Sequence, residues 1–493
     1  MRKLLSTTIA VSILTSLSIT SAFADIAGNT LPSFNNGTNV DVTTNGSNAM
    51  NVQIQGGQGG VGIANWNTFN VGKDASVNFE FTAHNQTSLN KVSAAGGMSQ
   101  IYGSLTNSGC AGCGYDATGK VILVNPNGVL FGDGANINLN SFTATTFDAN
   151  YDKDTNKLSL TRKDGAGDII VRDGANIYGD KNVTLAASNI KTYAGSKIST
   201  STIPNVGGTD SYGKVKLVTA DGVNFTFYNN GAVKEVSDVA ASTDKMIIGL
   251  NGTIESGHID IRNASENEGS EINLAGATLK ATKAEIGNDG NIWLTANNKI
   301  VIDDKSSLET VNGGNIRLLA KNKVSVNDSE LSSAGNVNII SVNDDIAFNA
   351  SKVSSKTATL DAGKTASFQN GSEAYVSTDF TIKGKNNAQV VNSKVSSGSS
   401  SYVGNINVEA GELAYVADDS LLTSYNTNIT GNDVLIDGSQ VWGSESVNIT
   451  AKTGDITANN STIRSNNGKS VLTAAGNIKA TNVDLKDLKA ELY

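Results

Sequence analysis

The chain has 493 residues, 38% hydrophobic, 6% aromatic and 17% charged, which is enough apolar material for a sizeable core and not the composition of a disordered chain. Its formal net charge of −9 argues against nucleic acid as a partner, because phosphate contacts need clustered Lys and Arg. Glycine is abundant at 51 and proline scarce at 3, a profile that suits many short strands joined by polar turns and not long helices.

The first 24 residues read as a signal peptide. Arg2 and Lys3 give a positive start, Leu4 to Leu17 is mostly apolar, and Ala22-Phe23-Ala24 offers a small-x-small cleavage site before Asp25. Ser and Thr interrupt the apolar run, which is too short for a membrane anchor. Cleavage removes two positive charges and takes the net charge from −9 to −11. No later apolar run reaches the length of a span, and no tail resembles an outer-membrane barrel. Export across an outer membrane therefore calls for a separate transporter.

Residues 25 to about 60 are expected to cap a longer body. Trp66-Asn-Thr-Phe-Asn-Val-Gly72 then brings Trp66, Phe69, Asn70 and Gly72 together in one short segment. Cys110 and Cys113 form a C-x-x-C in a glycine-flanked loop. Zinc would need two further ligands, and His84 and His258 are the only histidines. A small loop-closing disulfide is the expectation for an exported chain. In Val121-Ile-Leu-Val-Asn-Pro-Asn-Gly-Val-Leu-Phe-Gly132 two apolar runs flank a turn. Pro126 fixes φ and cannot donate to a ladder, and Gly128 tolerates positive φ, so the strand should stop at Asn125 and resume at Val129.

From Asn65 to Thr146 the order NWNTFNVGKDASVNFEF, LNKV, SQIYGSL, VILVNPNGVLFG and NLNSFTATT resembles the haemagglutination-activity domain of filamentous-haemagglutinin-type exoproteins. These are the secreted partners of bacterial two-partner secretion systems. The resemblance implies an N-terminal cap, extra-helical hairpins, and a secretion domain at roughly residues 25 to 270. It also implies an outer-membrane barrel transporter that binds this domain unfolded in the periplasm and releases it outside. Asn125, Pro126, Asn127 and Gly128 match the family's secretion motif. Their role is either a tight corner needed for nucleation or direct contact with the transporter. The family's other motif, Asn-Pro-Asn-Leu, is absent.

Two stretches, Asn150 to Arg172 and Lys214 to Val236, read as hairpins projecting from the main body. Beyond them the chain repeats. Gly290-Asn-Ile-Trp-Leu-Thr-Ala, Gly314-Asn-Ile-Arg-Leu-Leu-Ala and Gly335-Asn-Val-Asn-Ile-Ile-Ser start 24 and 21 residues apart, and further copies follow to Ser470. Weaker strands such as Asp345–Asn349 and Lys352–Ser354 lie between copies. Three short strands per turn of roughly 20–25 residues is the pattern of a parallel β-helix, expected here to be right-handed. Alternation, as at Ile316, Leu318 and Ala320, points every second side chain inward. Some twenty coils spaced by roughly 4.8 Å would make a rod on the order of 100 Å. Residues 271–493 form the repeat extension, and the charged, helix-compatible end from Leu485 to Tyr493 suits a cover for the last edge.

The residues imply no cofactor, metal or catalytic group. His84 and His258 lack a nucleophile neighbour and read as turn or surface residues. The pairs Asp303-Asp304 and Asp344-Asp345 read as solvated acids at one recurring turn position. The chain is thus expected to be a secreted or surface-exposed adhesin-like exoprotein, contacting host-cell or bacterial receptors. The alternatives are a ligand- or nutrient-capturing exoprotein of the haemopexin-binding kind, or, less favoured, a carbohydrate-active β-helix enzyme.

Overall fold

The computed structural model describes residues 26–109, 119–201, 213–282, 290–398, 403–486 and 488–492. The expected signal peptide, Cys110 and Cys113 lie outside these residues. Each coil contributes three short strands, one to each of three faces. In one coil these are Lys299–Asp303 on the first face, Ser307–Val311 on the second and Ile316–Ala320 on the third. The next coil lays Val324–Asn327, Glu330–Ser333 and Asn336–Ser341 on them in parallel, with Ile300 opposite Val324, Leu308 opposite Leu331 and Ile316 opposite Val337. The first face is a 15-stranded parallel sheet along the axis. The chain is a parallel β-solenoid of about 17 turns.

Alternation explains the core. Ile316, Leu318 and Ala320 point inward, while Arg317 faces solvent. Stacking in register turns these positions into axial files, such as Ile300, Val324 and Ile346, all fully buried. Each such aliphatic side chain contributes about 1.5–3 kcal/mol by leaving water. Corners take left-handed residues, among them Asn312 at φ 59°, Asp328 at 43° and Asn370 at 57°. Outward asparagines form ladders, with Asn428 donating to Asn407 and Asn448 to Asn428, both at 3.0 Å. In Asn136–Thr145 and Leu421–Gly431 one strand runs through the corner from second to third face, with a register break at Leu139/Ser141 and at Ser424/Asn426.

The N-terminal end is closed by antiparallel pairing. β1 (Ser33–Thr38) lies on β4 (Val61–Thr68), and β2 (Val40–Asn45) on β3 (Ala49–Ile54). β3 and β4 already belong to the first coil, since each pairs in parallel with the coil above. The antiparallel cover is therefore shorter than residues 25–60.

Several expectations are corrected. Lys214–Thr219 is a coil strand on the third face, between Asn182–Ala186 and His258–Asn263, and not part of a hairpin. The hairpin proper joins Gly222–Phe227 to Val233–Ala240. The other joins Asp148–Asp152 to Lys157–Thr161, and Ile169–Val171 returns to the first face. The two hairpins pair edge to edge, Leu158 opposite Phe225, as one four-stranded antiparallel sheet. Residues spent there lower the coil count below twenty. At the far end Asp484–Lys486 and Leu488–Leu492 continue the parallel ladders as strands, not as a helix. Asp303 ends a first-face strand and Asp304 follows it, whereas Asp344 and Asp345 precede one, so the two acidic pairs sit at different corners.

Candidate functional site: two N-terminal motifs and the sheet beside them

Trp66 ends up at the junction of cover and coil because β1 places Phe34 opposite it. It is 1% exposed, with the Phe34 ring edge-on at 5.4 Å and the Phe69 ring edge-on at 5.2 Å. Its indole Nε1 donates to Asn90 Oδ1 at 3.1 Å, and Asn90 donates in turn to Ser88 Oγ at 3.0 Å and Ile122 O at 3.3 Å in the next coil. Gln100 N donates to Asn70 Oδ1 at 2.8 Å. Gly72 N donates to Thr30 O at 2.9 Å. A Cβ on Gly72 would lie 2.3 Å from the carbonyl oxygens of both Ala27 and Gly28, so the passing backbone admits only glycine there. The four motif residues are a clasp that holds the N-terminal segment on the first coils.

The Asn-Pro-Asn-Gly corner links three coils. Lys120–Val124 runs on the third face and Val129–Phe131 on the first, so the chain turns at the proline as its chemistry requires. Gly128 N donates to Asn125 O at 3.1 Å, closing the turn, and Asn127 N donates to Asn125 Oδ1 at 3.0 Å. Towards the coil below, Asn125 Nδ2 donates to Gly97 O and Ser99 Oγ, both at 2.9 Å, and Asn127 Nδ2 donates to Ala94 O at 2.9 Å. From the coil above, Gly167 N donates to Pro126 O at 2.8 Å, while Val129 N donates to Asp168 O at 3.0 Å. Gly128 sits at φ +117°, where a Cβ would meet Met98 Cε at 2.8 Å and Asp168 O at 3.0 Å. Asn125 itself has no exposed surface.

The four-stranded sheet covers the outside of the third face. Leu158, Leu160 and Phe225 from the sheet pack on Leu89, Ile122 and Val218 from the face, forming a second core separate from the axial one. Lys120 is trapped below it, 1% exposed, donating to Asn85 Oδ1 at 2.7 Å and lying 5.9 Å from the centre of the Tyr151 ring. Burial pushes the Lys120 ammonium down to about 7, and burial pushes the Tyr151 phenol up to about 12. Between pH 7 and 10 the unfolded chain keeps a proton on Lys120 that the folded chain releases, so this residue makes stability rise with pH across that window. Tyr151 acts in the opposite sense only above its unfolded value near 10. Urea midpoints at pH 7 and pH 9 should show the rise in the native protein and its loss in Lys120→Met, which should be the more stable form at pH 7. An unchanged pH slope in the variant would refute the assignment.

His258 departs from the sequence reading. It lies in a strand, 5% exposed, with its ring edge-on to Trp293 at 4.8 Å. Burial, helped by nearby Lys216, pushes it down to about 3, so the imidazole is neutral. Beside it Asp260 is buried too. Burial alone would raise that carboxyl, but Lys216 at 3.1 Å and Arg262 at 2.9 Å outweigh it and hold Asp260 below the usual carboxylate range. His84 does sit in a turn. Asn90 and Lys120 were not singled out from sequence. The signal for Asn90 was available: it occupies an inward-facing place between Ser88 and Val92 in an alternating strand.

The TPS secretion domain family matches residues 29–294, more than half of the chain and inclusive of both motifs. The chain belongs to this family. Proteins with this domain are secreted exoproteins that pair with an outer-membrane transporter. A heme/hemopexin-binding protein of Haemophilus influenzae (strain ATCC 51907 / DSM 11121 / KW20 / Rd) is 28% identical over 250 residues, 50% of this chain and 25% of that protein. A second heme/hemopexin-binding protein of Haemophilus influenzae is 36% identical over 99 residues, 20% of this chain and 10% of that protein. The chain thus spans a quarter or less of the length of these relatives. Among solved structures, the HMW1 secretion domain from Haemophilus influenzae aligns at 16% identity and a TM-score of 0.38, covering 93% of this chain and 99% of that one. A filamentous hemagglutinin secretion domain aligns at 15% identity and 0.38, covering 70% and 100%. The TPS solenoid described above rests on its own strand pairings.

Proposed function

We propose that this TPS protein is an adhesin-like surface exoprotein. Its residues 25–270 are handled unfolded by an outer-membrane barrel transporter after removal of the leader at Ala24, and residues 271–493 extend the solenoid that meets host-cell or bacterial surfaces. The supporting observation is the burial of the central residue or residues of each motif. Asn125 is fully buried, and Trp66 and Phe69 are each 1% exposed, so a partner reads these three only before folding. Once outside, each coil templates the next, and the same side chains become the fastening of the first coils. The motif residues then act in nucleation, as corner and clasp.

The matches to heme/hemopexin-binding proteins favour one second reading, a ligand-capturing exoprotein. Two measurements test these readings. Deleting the transporter gene should leave the chain in the periplasm, and undiminished release would remove the export half of the proposal. The purified mature protein should bind cells. Binding of hemopexin with no binding to cells would favour the second reading.

A further inference from the structure

We infer that a trough on the second face of the repeat extension is a binding site for an uncharged oligosaccharide. The trough has a volume of about 640 Å3 and its lining includes Glu309, Ser332, Ser354, Lys356, Tyr375 and Ser377. Its origin lies in the register. Glu309, Ser332, Ser354 and Tyr375 are successive neighbours in one outward file, each opposite the next. Two serines between two longer side chains leave a depression three rungs long, about 14 Å. Tyr375 walls one end with its ring 52% exposed, and its Oη donates to Glu373 Oε2 at 3.2 Å, which orients the phenol. Further along the same file Trp442 also faces outward, but the Arg464 guanidinium covers its ring at 4.1 Å. Tyr375 is the open ring.

The chemistry selects among occupants. A peptide strand adds to a sheet through free backbone groups. Here each strand of the face is paired to coils on both sides, so no such edge is presented. A polyanion finds little attraction, because the lining holds a single cation, Lys356, beside the carboxylate of Glu309, and the chain as a whole is acidic. Hydroxyls at Ser332, Ser354 and Ser377 donate and accept alike. Together with an open aromatic face they match a sugar, which carries hydroxyls on its rim and C–H groups on its flat faces.

This inference deepens the adhesin reading and is tested apart from it. The full mature chain would be titrated calorimetrically with neutral hexasaccharides of glucose, mannose, galactose and N-acetylglucosamine, with a heparin oligosaccharide as the charged arm. At least one neutral hexasaccharide should bind. Tyr375→Ala, which removes the aromatic anchor, and the trough-filling Ser354→Trp should each weaken it by about 10-fold or more. Tyr415→Ala, an outward residue of the first face, should leave affinity unchanged. Circular dichroism would verify that every variant is folded. Absence of binding to any neutral hexasaccharide, binding to heparin alone, or affinity unmoved in both disruptive variants would overturn the site. Cell adhesion persisting in those cases would leave the adhesin reading standing, and glycan binding without cell adhesion would do the reverse.

Discussion

Trp66→Ala is expected to release the N-terminal cover from the first coil. The indole is the meeting point of the Phe34 and Phe69 rings and the sole aromatic bridge between β1 and β4 among the described residues. Truncating a buried aromatic side chain costs about 3–5 kcal/mol, and the change also strips Asn90 Oδ1 of its donor. A solenoid feels such damage locally, because each coil contacts only its neighbours. Amide exchange should therefore accelerate strongly in residues 33–45 and 61–68 and little beyond the third coil. Trp66→Phe keeps a ring but loses the N–H to Asn90, and should give a smaller effect of about 1–3 kcal/mol. Uncovering the edges of β3 and β4 should also promote self-association, visible by light scattering. Native-like exchange throughout residues 33–68 of Trp66→Ala would contradict the clasp.

Asn125→Ala is the second large effect. The side chain makes two donations to the coil below and accepts one bond within its own turn. Its removal leaves Gly97 O, Ser99 Oγ and Asn127 N without these partners, with Ser99 fully buried and Gly97 open to water. With about 1–3 kcal/mol for the orphaned buried Ser99 hydroxyl and less for the two wetter groups, the loss should total roughly 2–4 kcal/mol. Asn125→Asp separates shape from chemistry. It retains the acceptor for Asn127 N but turns an oxygen towards the Gly97 carbonyl, so it should be at least as damaging at neutral pH. Protonation restores one donor, and acidification should recover part of the stability. If the motif acts through nucleation, as proposed, both variants should still reach the transporter, and the released chain should fold slowly and be cut readily by protease. A variant fully folded outside but exported poorly would instead assign Asn125 to transporter contact.

Much of this protein was legible in its linear order. Alternation at Ile316, Leu318 and Ala320, repeated at near-constant spacing, specifies inward files because a strand has a period of two whatever surrounds it. Pro126 and Gly128 dictated a turn through their own backbone chemistry, and the strands duly end at Val124 and restart at Val129. Those are local properties. Pairing between distant segments is not. Nothing in residues 157–161 announces that they lie beside residues 222–226, since any two amphipathic hairpins read alike until one face of the solenoid offers them a common apolar floor. The burial of Lys120 under that sheet, and of His258 and Asp260 beside Lys216, follows from the same placement. The last strand, Leu488–Leu492, carries helix-compatible residues yet pairs as a strand. An exposed ladder of backbone donors and acceptors on the preceding coil outweighs the small intrinsic preference of those side chains. Sequence thus settled what each segment does by itself. The stacked coils decided which outward surfaces are covered, and with them which polar groups lose their water.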